Sequence, residues 1–87
     1  MTVNWEPTAG EKFDQLIAKV PAVMRSLAQN KVSQKAAEII TKEGRELANE
    51  KDLVDAFFEA TPFGFHGPMK CDMEAIGLDY TRYGYQR

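Results

Sequence analysis

This 87-residue chain holds one cysteine and one histidine, Cys71 and His66. One cysteine cannot close an internal disulfide, which predicts a reducing compartment and not a disulfide-stapled scaffold. Nor can it supply the roughly four thiolates of an iron–sulfur cluster. No apolar run approaches the ~20 residues that span a bilayer, and the opening "MTVNWEPTAG" has neither a basic patch nor an apolar stretch. These features predict no membrane partner, no secretion signal and a cytoplasmic location. Strand-like alternation is scarce, and neither an internal repeat nor a low-complexity block is visible, so helices must supply the order. Neither sign of charge dominates, with 11 Lys and Arg against 13 Asp and Glu. A nucleic-acid binder normally shows a basic footprint, so nucleic acid is not the expected partner.

The charge present is unevenly placed. From Lys19 to Arg45 there are six bases and two acids; from Glu46 to Asp79 there are eight acids and two bases. Such patterning suits an electrostatically biased protein contact or a solvated helix face.

Helical spacing runs through most of the chain. Pro7 suits a first helical position, and Phe13, Leu16, Ile17 and Val20 then share a face. Trp5, just ahead, is placed to fold back on that helix. Pro21 interrupts, and "PAVMRSLAQNKVSQKAAEIITKEG" predicts the longest helix. Its apolar stripe runs from Val23, Met24, Leu27 and Ala28 through Val32, Ala36, Ile39 and Ile40. Gly44 is a left-handed stop. Lys31, Lys35, Glu38 and Lys42 line the opposite face, with Glu38 four residues ahead of Lys42. Asn49 with Asp52 forms a near capping box for a third helix, whose apolar face is Leu53, Val54, Phe57 and Phe58. "TP" ends it. Beyond Pro62, "GPMKCDMEAIG" predicts a short fourth helix starting at Pro68, with Met69, Met73 and Ile76 on one face. The remaining aromatics predict a tail that packs on the bundle.

The expectation is an all-α protein. A three-helix core, short–long–short, occupies residues 1–62, and an aromatic, glycine-rich extension over 63–87 carries the fourth helix. The expected core is Phe13, Leu16, Ile17, Val20, Met24, Leu27, Ala36, Ile40, Leu53, Val54, Phe57 and Phe58.

The opening "WEPTA", the Val20–Pro21 step before a long helix containing Arg25, and the helix beginning "NEKDLVDA" carry a resemblance. From Trp5 to Ala60 the chain resembles the small C-terminal domain on the catalytic B subunit of light-independent protochlorophyllide reductase. Two departures stand out: Ala22–Met24 replaces bulky aromatics after the proline, and Phe63–Arg87 has no counterpart. The cluster ligands and substrate residues of that enzyme lie outside the small domain. The resemblance therefore implies an accessory or docking module without catalysis of its own, and a larger redox enzyme or a second copy as partner. The short–long–short order also resembles, at the level of fold alone, the histone-type handshake, which adds a homodimer to the expectations.

Several side chains are candidates for chemistry. Imidazole and thiolate are good metal ligands, so His66 and Cys71 are the candidate metal or redox pair. A helix start at Pro68 would put Cys71 in a first turn, where the dipole favours thiolate. The expected reading is the plainer one, a packed cysteine beside a turn histidine, with no metal, no cofactor and no catalytic residue. The candidate interaction surface is Trp5, Lys31, Lys35, Lys42, Phe65, Tyr80, Tyr83 and Tyr85. Lys31, Lys35 and Lys42 also carry the nucleic-acid alternative. Asp52, Asp55 and Glu59 read as a solvated acidic face. The leading expectation is a non-enzymatic interaction module; a small Cys/His redox- or metal-responsive protein is the alternative.

Overall fold

The computed structural model describes residues 3–87; the first two residues of the expected 1–62 core lie outside it. Among the described residues the protein is all-α. Helices α1 (Pro7–Lys19), α2 (Arg25–Lys42), α3 (Glu50–Ala60) and α4 (His66–Ala75) are joined with three short 3-10 turns, Ala22–Met24, Phe63–Phe65 and Tyr80–Tyr83. None of these helices is long and apolar enough to cross a membrane.

Each unit of the fold is a helix, a proline corner and a second helix. In the first, α1 ends at Val20, Pro21 opens a 3-10 turn, and α2 follows. In the second, α3 ends at Thr61, Pro62 opens a 3-10 turn, and α4 follows. The same offset relates Pro21 to Pro62 and Arg25 to His66. Both α2 and α4 then stop at a glycine with positive φ, Gly44 (70°) and Gly77 (77°). At each stop the two reversed hydrogen bonds of a Schellman cap form, Gly44 N–H to Thr41 O with Arg45 N–H to Ile40 O, and Gly77 N–H to Glu74 O with Leu78 N–H to Met73 O. An L side chain would be strained at either glycine. The backbone thus repeats a helix–corner–helix pattern although the sequence carries no repeat.

The two units start side by side. Ala48 N–H donates to Asn4 O and Glu6 N–H donates to Ala48 O, both at 2.8 Å. Trp5 folds back as its position predicts and stacks on Phe13, with ring centroids 4.9 Å apart. A Cβ at position 10 would lie 3.4 Å from Trp5 Cβ, so Gly10 lets the indole approach. Phe13 and Phe57 meet at corresponding heights on α1 and α3, centroids 6.4 Å apart. The two helices therefore run the same way, and both proline corners lie at the end of the molecule opposite the Trp5–Ala48 pairing.

Helix α2 returns alongside α3 and shares with it the most extensive helix–helix contact. At 1.5 Å per residue α2 is about 27 Å long and α3 about 16 Å. The first two turns of α2 consequently extend past α3; Ala28 still packs against the core from there, but the fully buried residues of α2 begin only at Val32. This corrects the expected core. Phe13, Leu16, Ile17, Ala36, Ile40, Leu53, Val54, Phe57 and Phe58 are buried as expected. Val20 is half-exposed, and Met24 and Leu27 are each 50% exposed. Their places are taken by Met69, Met73, Leu78 and Tyr80, which join the same cluster from the C-terminal quarter. Burial of each large apolar side chain contributes about 1.5–3 kcal/mol.

Two helix starts also differ from expectation. The α-helix begins at Arg25, because Ala22–Met24 winds as a 3-10 turn against Pro21. The fourth helix begins at His66 and not Pro68. A proline third in a helix is tolerated, since the first four N–H groups have no intrahelical partner.

Candidate interaction surface

The first corner is built by its C-terminal neighbour. Arg25 turns back on α1 and its guanidinium donates to Val20 O and Ala18 O, both at 2.9 Å. That satisfies carbonyls the end of α1 leaves open and places positive charge at the negative end of its dipole. With the corner fixed, its apolar residues point outward: every residue from Pro21 to Leu27 is exposed, and Val23 is 93% exposed. In sequence Lys19, Arg25 and Lys31 flank or join this run, Lys35 farther along α2 lies by Glu38, and no carboxylate occurs between Asp14 and Glu38.

The second corner uses the same device. His66 Nε2 lies 2.8 Å from Thr61 O and 3.2 Å from Phe58 O, at the end of α3. Its ring also packs edge-on against Phe58, centroids 5.1 Å apart. The turn it holds exposes Phe63 (88%) and Phe65 (64%). Carboxylates of Glu59 and Asp72 flank this corner in sequence, the first exposed and the second half-buried.

These positions bear on the candidate metal pair. The Nε2 atom of His66 is engaged with backbone carbonyls. Cys71 is exposed, one turn beyond the first turn of α4, so the helix start that would have activated it is not adjacent. Five helical positions separate the two side chains, which puts them on different faces of α4. Among the described residues no three or more His, Cys, Asp or Glu side chains gather as a metal site.

Of the expected interaction residues, the tyrosines are largely consumed by the fold. Tyr80 is buried and its hydroxyl donates to Glu74 at 2.5 Å, so it is withdrawn from the accessible surface. Tyr83 donates to Glu50 at 2.8 Å and Tyr85 to Asp55 at 2.6 Å, fastening the tail across α3. The carboxylate bond, then burial, raises Tyr80 above the ordinary phenol value. Burial first, then Glu50, pushes Tyr83 up to about 12, and burial with Asp55 pushes Tyr85 up as well. Trp5 is half-buried on Phe13. Lys31 and Lys42 are exposed, Lys35 lies 4.0 Å from Glu38, and Phe65 is exposed at the second corner.

The acidic face is also corrected. Asp52 is 2% exposed and takes a bidentate pair from Arg45 at 2.8 and 2.7 Å. Both bonds of the capping box form, Asp52 N–H to Asn49 Oδ1 and Asn49 N–H to Asp52 Oδ2. Asp55 accepts from Lys51 and from Tyr85. Only Glu59 of the three stands fully in solvent.

What sequence reasoning missed is that apolar residues of the long stripe stay bare. The signal was present as a length mismatch between a helix that fills Arg25–Lys42 and one that fills Glu50–Ala60. The motif residues behind the reductase resemblance have structural duties here: Trp5 covers Phe13, Pro21 opens the corner, and Arg25 holds it. Comparison of the chain with protein-family models, with curated proteins and with solved structures finds no match.

Proposed function

We propose that the protein is a non-enzymatic protein-interaction module that binds through its two proline corners. The observation that carries this reading is the bare run Pro21–Leu27, in which apolar Val23, Met24 and Leu27 are held outward by a corner that Arg25 locks from behind. Apolar side chains fixed in solvent are costly to solubility unless they are covered in use. Basic flanking residues in a stretch of sequence without acids add electrostatic preference to the contact. The resemblance to the accessory domain of light-independent protochlorophyllide reductase points the same way, toward docking and not chemistry. Its residues Val20, Pro21 and Arg25 build the first corner.

A photo-crosslinking residue placed at Val23 or Phe63 in the native host tests the reading. A discrete protein adduct is expected from these positions and none from Gln15, an exposed residue of α1. Absence of any adduct at both corners overturns it.

A further inference from the structure

We infer that the occupant of the corners is a second copy of this chain, in a twofold dimer that sets the first corner of each copy on the second corner of the other. The inference rests on the interaction-module reading and adds the partner and the pairing.

Three observations support it. The corners occupy the same end of the molecule, because α1 and α3 start together at the Trp5–Ala48 pairing and run the same way. A twofold axis near that end brings both corner-to-corner contacts into one interface, as a closed isologous dimer requires.

The second observation is charge. The first corner sits in a segment of four bases and no acids, Gln15 to Ala37. The second is flanked in sequence by Glu59 and Asp72, while the nearby Lys70 lies over the rings of Phe58 and Tyr80, 5.9 Å from each centroid, and Glu74, farther along α4, is paired with Arg87 and Tyr80. First corner on first corner would oppose like charges; first on second opposes unlike ones. The chain thus carries both halves of a complementary pair, and the pairing rule follows from sign.

The third is area. A phenylalanine or larger aromatic side chain buries about 150–250 Å², so Phe63 and Phe65 at their exposures offer roughly 250 Å² per copy. Val23, Met24, Leu27 and the charged rims extend this toward the ~800 Å² per partner of a standard stable interface. Either corner alone falls well short of that figure. An interface that covers both corners at once comes nearer to it, and charge selects the reciprocal pairing.

Sedimentation velocity of the full chain from about 1 to 200 µM tests the pairing, with Val23→Glu and Phe63→Lys as variants. Both positions are bare, so neither substitution disturbs the core; circular dichroism verifies the fold. A monomer–dimer equilibrium is expected for the parent chain, weakened at least threefold between about 50 and 500 mM salt. Each variant alone should remain monomeric, and an equimolar mixture of the two should dimerise, because one of its two contacts is native and the other is a new Glu–Lys pair. A parent chain that stays monomeric throughout overturns the dimer, as does a dimer indifferent to both substitutions. A monomer that still yields a corner adduct of different mass in the host removes the second copy as occupant and leaves the interaction module standing; no adduct removes both.

Discussion

Tyr85 lies flat on Phe58, ring centroids 3.9 Å apart and planes 9° from parallel, while its hydroxyl donates to Asp55. One residue near the C-terminus thereby joins an aromatic stack to a charge-assisted hydrogen bond on α3. Tyr83 adds a second hydroxyl–carboxylate bond to the same helix, at Glu50. The last eight residues are a strap over α3.

The strap makes stability fall in alkali. Tyr83 is held neutral by burial and Glu50 up to about 12, against 10.0 for a free tyrosine. Its contribution is complete below pH 10 and declines as pH rises from 10 toward 12, since the unfolded chain ionises first. Urea denaturation at pH 9, 10 and 11 should show this decline, and Tyr83→Phe should shrink it. An unchanged slope in the variant would remove Tyr83 from the account.

Asp52 makes stability fall in acid. Burial works to raise its carboxyl, but the Arg45 hydrogen bonds, the Asn49 N–H and nearby positive charge outweigh burial and hold it below the usual 3.8. A depressed folded value gives stability that is present above about pH 4 and lost as pH falls through the folded value. Asp52→Ala should cost about 2–4 kcal/mol at pH 7, through loss of both the capping box and the buried ion pair. The variant should also lose the acid dependence that the parent shows below pH 4. Chemical denaturation at pH 7 and pH 3 measures both.

The length mismatch between α2 and α3 separates two substitutions that look alike in sequence. Phe57→Ala removes a side chain that is 5% exposed and should cost about 3–5 kcal/mol. Leu27→Ala removes one that is half in solvent and should stay within about 0.5–1 kcal/mol in dilute monomer. Equal losses in thermal or urea denaturation would mean that the start of α2 is packed after all.

His66 and Cys71 should also part company. His66→Leu leaves Thr61 O and Phe58 O without their ring partner and should destabilise by about 1 kcal/mol. Cys71→Ser changes an exposed atom and should leave the denaturation midpoint unmoved. A shift in midpoint for Cys71→Ser alone would assign the thiol a structural duty that its exposure does not suggest.

Much of the fold was legible because its punctuation is local. Pro7, Gly44, Gly77 and the Asn49–Asp52 box act within a turn of themselves, so a single chain displays them. Periodicity likewise gave the inner faces of α1 and α3. It did not tell whether a neighbour covers a given face, and so Met24 and Leu27 were placed in the core. Asp52 looked solvated for a related reason: its partner, Arg45, sits in the preceding loop, outside any helical period. The repeated corner was hidden because only a proline and a basic residue four positions on are shared between "VPAVMR" and "TPFGFH". The tyrosines carried two readings, a partner surface or a cover over the core; Tyr80 is buried, and which carboxylate each would find depended on how the tail crosses α3.

The strap also orders events in time. The corner bonds join residues five to eight apart, whereas Tyr83 and Tyr85 reach partners 33 and 30 residues away. Closing such loops costs entropy that only a formed α3 repays. Because its bonds attach to α3, the strap is expected to dock only once that helix has formed. Weakening it with Tyr85→Phe should then accelerate unfolding while leaving the folding rate nearly unchanged, which would place control of the native state's lifetime in its C-terminal segment.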